Sequence, residues 1–256
     1  MAGLRFFPTV VHVPHSSVTI PRGLRDQFIL TQLELDRELL HMTDRYTDEL
    51  FALPKAMTTT VIYPVSRLVV DPERFLDNQS EPMAAKGMGV VYTKTSDQRP
   101  LRRPISRAER EALVSEYYVP HHRKLNAAVA RALSSSGKCL IIDAHSFPSA
   151  PLPYENDQGP ERPAICIGKD EYHTPAELER AAVEAFRREF DRVAVNRPFS
   201  GALVPDDYYR KDKRVRAIMI EVNRSLYMDE ATGQKSAGFG EVKALIRRAL
   251  RGIMHA

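Results

Sequence analysis

Three short clusters carry the side chains with the most chemistry. In Val13-Pro14-His15-Ser16-Ser17 a histidine leaves an apolar run and enters a small polar turn. A neutral imidazole there suits zinc or a similar divalent metal, and a hydrogen-bonded turn histidine is the plainer alternative. In Ile141-Ile142-Asp143-Ala144-His145-Ser146 an acid and a histidine stand two positions apart at the end of an apolar run. One can ligate a metal while the other orients it. In Ile218-Met219-Ile220-Glu221-Val222-Asn223-Arg224 a carboxylate interrupts an otherwise apolar strand. A buried carboxylate needs a partner, a water or a metal, a structural salt bridge being the simplest case. Beside a metal, it is placed for general base catalysis. A fourth segment, Ser66 to Arg74, sets Arg67 and Arg74 around Leu68-Val69-Val70-Asp71. Guanidinium forks suit carboxylates, although arginines beside strands are most often surface pairs.

Positioning these groups requires a scaffold, and the hydrophobic pattern predicts one. Thr9 to Val13, Thr58 to Tyr63, Leu68 to Val70, Cys139 to Asp143, Ala164 to Ile167, Val193 to Val195 and Ala217 to Val222 read as strands. Thr31 caps a helix whose face includes Leu33, Leu39, Leu40, Tyr46 and Leu50. Ser106 and Glu109 form a capping-box pattern opening a helix past Tyr117, with Pro120 a possible interruption before it resumes to Leu133. Thr174-Pro175 opens another helix to about Phe190, and Gly240 to Ile253 closes the chain amphipathically. Strands alternating with helices predict an α/β fold, three-layer αβα, with a mixed, mainly parallel sheet. The three clusters then fall at strand ends, where such sheets bind ligands. Arg74 to Pro104 and Ser146 to Pro163 read as long irregular segments of the kind that often carry function.

Composition narrows the classes. At 256 residues, with 43% hydrophobic and 27% charged residues, the chain is neither disordered nor fibrous, and one domain over 1–256 accounts for it. The net charge of +4 is too dilute for the basic stripe of a nucleic-acid binder. Cys139 and Cys166 lack metal spacing and read as buried free thiols. The stretch Met1 to Pro14 is too short for a signal peptide, and no apolar run is long enough for a membrane span. A cytoplasmic protein is the expectation, with monomer or homo-oligomer left open. Gly87-Met88-Gly89 lacks the third glycine of a dinucleotide loop. The adjacent His121 and His122 diverge on a helix and do not serve one metal together.

Taken together, the motifs resemble the N-formylglutamate amidohydrolase family. The resemblance runs through Pro14-His15-Ser16, Thr43-Asp44 in the first long helix, Ser66 to Arg74, Gly87 to Val91 and Tyr118 to Leu125. It continues through Ile142 to Ser146, Asn196 to Gly201 and, most specifically, Ile220 to Asp229. It implies a fold similar to zinc carboxypeptidases, of the phosphorylase/hydrolase-like type. It also implies a metal, Zn2+ or another divalent ion, held by His15, His145 and an acid. The carboxypeptidase pattern places that acid three residues after the first histidine, where Val18 stands here. Asp44, from the family's Thr-Asp motif, takes its place, with Asp71 and Asp143 competing. Glu221 matches the catalytic glutamate, and Arg67, Arg74, Asn223 and Arg224 the substrate-binding positions. The implied activity is hydrolysis of the N-formyl or N-acyl amide of a small acidic amino acid such as N-formyl-L-glutamate. A related deacylase or carboxypeptidase acting on another N-acyl amino acid or peptide is the alternative. A non-catalytic binder of anionic ligands is the third reading.

Overall fold

A computed structural model describes residues 7–255. The first six residues, part of the stretch read above for a signal peptide, lie outside the described residues. The chain forms a six-stranded sheet of β1 (Thr9–Val13), β2 (Thr58–Ile62), β3 (Cys139–Phe147), β4 (Ile165–Gly168), β5 (Val193–Val195) and β6 (Val215–Asn223). Their order is β2-β1-β3-β6-β4-β5. Neighbours pair in parallel except β4 against β6, so the sheet is mixed and mainly parallel.

Side-chain alternation divides each central strand between two cores. Val11 and Val13 of β1, Leu140, Ile142 and Ala144 of β3, and Ile218, Ile220 and Val222 of β6 share one core. That core is covered by α5 (Ala176–Arg187) and α6 (Phe239–Met254), which contribute Ala182, Phe186, Ile246 and Leu250. On the opposite face Val10, Cys139, Ile141, Val215 and Ala217 pack under Leu125, Ala128 and Val129 of α4 (Val119–Ser136). Both cysteines are buried free thiols, as expected. Among the described residues no helix is long and apolar enough to cross a membrane.

Several boundaries differ from the pattern-based expectation. The helix capped by Thr31 does not run to Leu50: α1 (Gln32–Met42) stops, and a single turn, α2 (Thr47–Leu50), follows. Asp44 therefore stands in a break rather than inside a helix. Its amide donates to His15 O at 3.0 Å, and Tyr46 adopts a left-handed φ of 68°. The buried face of α1 is Leu35, Glu38, Leu39 and Met42, whereas Leu33 is exposed. Leu68-Val69-Val70 is a turn and not a strand. It is buried in a third core with Met88, Val90 and Leu101, and Arg102 Nη2 caps the Leu68 carbonyl. Pro120 does not break its helix. α3 (Arg107–Leu113) passes into α4 through a π turn over Val114–Tyr118, whose wider winding accommodates a residue without an N–H. Pro175, expected in the first turn of α5, is its N-cap.

Glu38 on α1 accepts hydrogen bonds from Ser96 N at 2.6 Å and Ser96 Oγ at 2.9 Å, pinning the long loop after residue 74. Burial raises its carboxyl pKa above the ordinary 4.5 despite those bonds. An acid raised on folding contributes stability at low pH that is lost as pH rises through the folded value. The wild type is thus expected to lose stability relative to Glu38→Gln as pH rises above 4.5, read by urea denaturation at a series of pH values. A parallel pH dependence of the two proteins would show that Glu38 is not the responsible group.

Candidate functional site

The sheet face packed by α4 changes character along the strands. The same row of β3 side chains runs Cys139, Ile141, then Asp143, His145, Phe147; that of β6 runs Val215, Ala217, then Met219, Glu221, Asn223. Register sets His12 beside Asp143, Asp143 beside Met219 and His145 beside Glu221. The apolar half is core, and Asp143, His145, Phe147, Met219 and Glu221 floor a cavity of about 460 Å³. The two clusters expected just after strands thus begin inside them. Their side chains face the site because the two-residue period repeats to the strand end.

His15 follows β1, and the hydrogen bond from Asp44 N ties the 43–46 break to it. Asp44 Oδ2 lies 3.2 Å from His145 Nδ1 and 3.7 Å from His15 Nδ1. The two imidazole rings are 5.1 Å apart. Asp44 Oδ1 accepts from Arg224 Nη2 at 2.8 Å. Burial opposes ionisation of Asp44, but the hydrogen bond with His145, the neighbouring His15 ring and the Arg224 guanidinium hold its carboxyl well below the usual range. The structure thus brings Asp44 to the Nδ1 atoms of both histidines. The competing Asp71 and Asp143 stand behind the rings instead. Asp71 Oδ1 is 2.8 Å from His15 Nε2, and Asp143 Oδ1 is 3.2 Å from His145 Nε2.

His15, Asp44 and His145 are all buried, and their ligand-capable atoms lie within 4.8 Å of one another. His15 Nδ1 has no hydrogen-bond partner although it is buried. Two imidazoles and one carboxylate form a donor set that suits a divalent metal with a position left open. An orphaned ring nitrogen aimed into that set fits such an ion. Asp71→Asn would remove the charge that orients His15 and is expected to weaken metal affinity about 10- to 100-fold. Equilibrium dialysis against buffered zinc reads it, and unchanged affinity would remove Asp71 from the support of the site.

Glu221 projects from β6 into the same cavity, and its Oε2 is buried without a partner. Burial, with Asp44 adding to it, pushes its carboxyl up to about 8. Arg67 lines the cavity but is largely committed: it donates to Asp71 Oδ2 at 2.8 Å and to Tyr92 Oη at 3.0 Å. Arg74 also lines it, and its Nε is unpartnered, 3.5 Å from Asp71 Oδ2. Arg224 lines the cavity too, with Nη1 on His41 O and Nε on Ser146 Oγ, so its fork holds Asp44 and the end of β3 in place. Asn223, expected to bind substrate, does not line the cavity. Its Nδ2 donates to Pro163 O, and its Oδ1 caps Ser225.

Two further polar residues beside the site, of which Glu73 lines the cavity and His12 is fully buried, are not among the candidates above. Glu73 lies inside the arginine segment. His12 is a polar residue in an apolar strand, the same signal that singled out Glu221. His121 and His122 diverge as expected: one meets His12 Nε2 at 2.8 Å, the other Pro72 O at 2.9 Å.

Fold and site together define an α/β protein with a buried, metal-capable cluster at the strand ends of a mainly parallel sheet. The sequence profile described as N-formylglutamate amidohydrolase matches residues 7–228, and the chain belongs to that family. It is 26% identical to the N-formylglutamate deformylase of Pseudomonas aeruginosa, over 96% of this chain and 92% of that protein. It is 24% identical to the N-formylglutamate deformylase of Pseudomonas putida, over 87% and 82%. The crystal structure of N-formylglutamate amidohydrolase from Ralstonia eutropha JMP134 superposes with a TM-score of 0.81 at 23% identity, covering 97% of this chain and 92% of that one.

Proposed function

We propose that this protein is a metal-dependent amidohydrolase that removes the N-formyl, or another N-acyl, group from a small acidic amino acid, N-formyl-L-glutamate being the first candidate. The observation that carries the reading is the convergence of His15 Nδ1, His145 Nδ1 and Asp44 in one cavity with the unpartnered Glu221 carboxyl. The three-layer αβα arrangement, read as zinc-carboxypeptidase-like and as one catalytic domain, supports it.

His15, Asp44 and His145 would hold the ion, with Zn2+ the choice that suits two imidazoles and a carboxylate. When bound, such an ion polarises a carbonyl and acidifies water. Asp71 keeps the His15 ring aimed, and Arg224 keeps Asp44 in place. Glu221 holds and releases a proton near neutral pH. It takes one from the attacking water and returns it to the departing amine. Arg74, which lines the cavity, grips a substrate carboxylate, and Arg67, fixed by Asp71 and Tyr92, adds positive charge beside it.

The test is turnover of N-formyl-L-glutamate against a panel of N-acyl amino acids and short peptides by zinc-loaded protein. Release of formate and glutamate supports the reading. Turnover confined to other N-acyl substrates would favour the related deacylase, and no hydrolysis of any member would overturn the proposal. Arg74→Ala is expected to raise KM for an acidic substrate about 10- to 100-fold with kcat little changed, the value of one charge-assisted hydrogen bond. An unaltered KM would place the carboxylate elsewhere.

A further inference from the structure

The triad uses the Nδ1 side of His145. Its Nε2 side faces a second set of donors that the proposed reaction leaves unused. His12 Nδ1 on β1 lies 2.9 Å from Asp143 Oδ1 and 3.2 Å from Glu73 Oε1. Ligand-capable atoms of His12, Glu73 and Asp143 all fall within 4.8 Å of one another. Two further observations point to a missing ligand among them. Glu73 Oε1 is buried and makes no hydrogen bond. His145 Nε2, on a residue only 5% exposed, also makes none, although it lies 3.2 Å from Asp143 Oδ1 and 3.8 Å from Glu73 Oε2. Carboxylates gathered in a buried place need positive charge or dense hydrogen bonding. Here Asp143 Oδ2 has Leu203 N at 2.9 Å, and Glu73 lacks an equivalent donor on Oε1.

His12 has the supporting contact that a ligating histidine needs. Its Nε2 is 2.8 Å from His121 Nε2, a contact in which one ring must donate. With His12 as that donor, its Nδ1 carries a lone pair towards the two carboxylates. A ring oriented through its remote nitrogen is the usual support of a metal-bound imidazole.

We propose that His12 Nδ1, Asp143 and Glu73 form a second divalent-cation site behind the His15–Asp44–His145 triad, with His145 standing between the two. One imidazole and two carboxylates suit a first-row divalent ion such as Zn2+ or Mn2+. Because Glu73, Asp143 and His145 all line the cavity, this cation faces the substrate side and adds positive charge where an acidic substrate enters. Its donors are distinct from those of the triad, so the two sites can be tested apart.

The experiment is zinc stoichiometry. Chelator-stripped protein is refilled with buffered Zn2+, passed through a desalting column and assayed by elemental analysis, with circular dichroism recorded for every variant. Wild type is expected to hold two zinc ions per chain. Glu73→Gln, a shape-conserving change at a partly exposed side chain, should hold one, and His15→Asn should also hold one. A zinc anomalous peak among His12, Glu73 and Asp143 should be present in wild-type crystals and absent from Glu73→Gln. A single ion per chain, lost in His15→Asn and retained in Glu73→Gln, would overturn the second site and leave the proposed function standing. It would mean that a protonated His12 supplies the charge. A single ion lost in Glu73→Gln and kept in His15→Asn would support the second site and count against the triad.

Discussion

Asp44→Ala is expected to abolish stoichiometric zinc binding and to cost about 3–5 kcal/mol of folding stability. Both effects have one origin. Asp44 Oδ2 faces the Nδ1 atoms of His145 and His15, while Oδ1 takes the Arg224 guanidinium at 2.8 Å. Removing the carboxylate deletes the only acidic donor of the triad. It also leaves Arg224, a buried cation, with neutral oxygens alone: His41 O, Ser146 Oγ and Ser146 O. Urea denaturation and elemental zinc analysis read the two losses separately. Retained zinc would move the acidic ligand to another residue. Lost zinc with unchanged stability would mean that the Arg224 contact is replaced by solvent.

Glu221→Gln is expected to lower kcat by about 10²- to 10⁴-fold with zinc content unchanged. Glutamine keeps the shape of the side chain and removes its capacity to carry a proton. Glu221 lies outside the triad, on the neighbouring strand in register with His145, so the metal donors are untouched. Comparing kcat and metal content in the same preparation separates proton transfer from metal loss. Full activity in zinc-loaded Glu221→Gln would falsify the base assignment. Activity lost in step with zinc would instead make Glu221 a support of the metal site.

These two residues also illustrate what a sequence can reveal. Glu221 was legible because a carboxylate in the run Ile218 to Val222 violates the apolar pattern of a central strand. His12 breaks the shorter run Thr9 to Val13 in the same way, and the same signal marks it. Asp44 carries no local signal of its own beyond the family's Thr-Asp motif, and it stands in a break between helices rather than inside one. The run from Thr31 to Leu50 has a helical face, and propensity alone gives no reason for it to stop at Met42. The stop depends on His15, whose carbonyl takes the Asp44 amide from a position far away in the chain. Leu68 to Val70 has the composition of a strand but pairs with none of the six strands, and it is buried by loop packing instead.

By itself the sequence determined the alternation of strands and helices, the mainly parallel sheet, and the polar residues that interrupt apolar runs. Burial periodicity and capping are local, so the chain carries them openly. Only the tertiary structure decided which acid meets which face of each imidazole: Asp44 at both Nδ1 atoms, Asp71 behind His15, and Asp143 behind His145. It likewise turned Asn223 to the Pro163 carbonyl and Arg224 to Asp44. Such choices depend on register across strands and on hydrogen bonds between distant segments. Neither is encoded in the spacing along one chain.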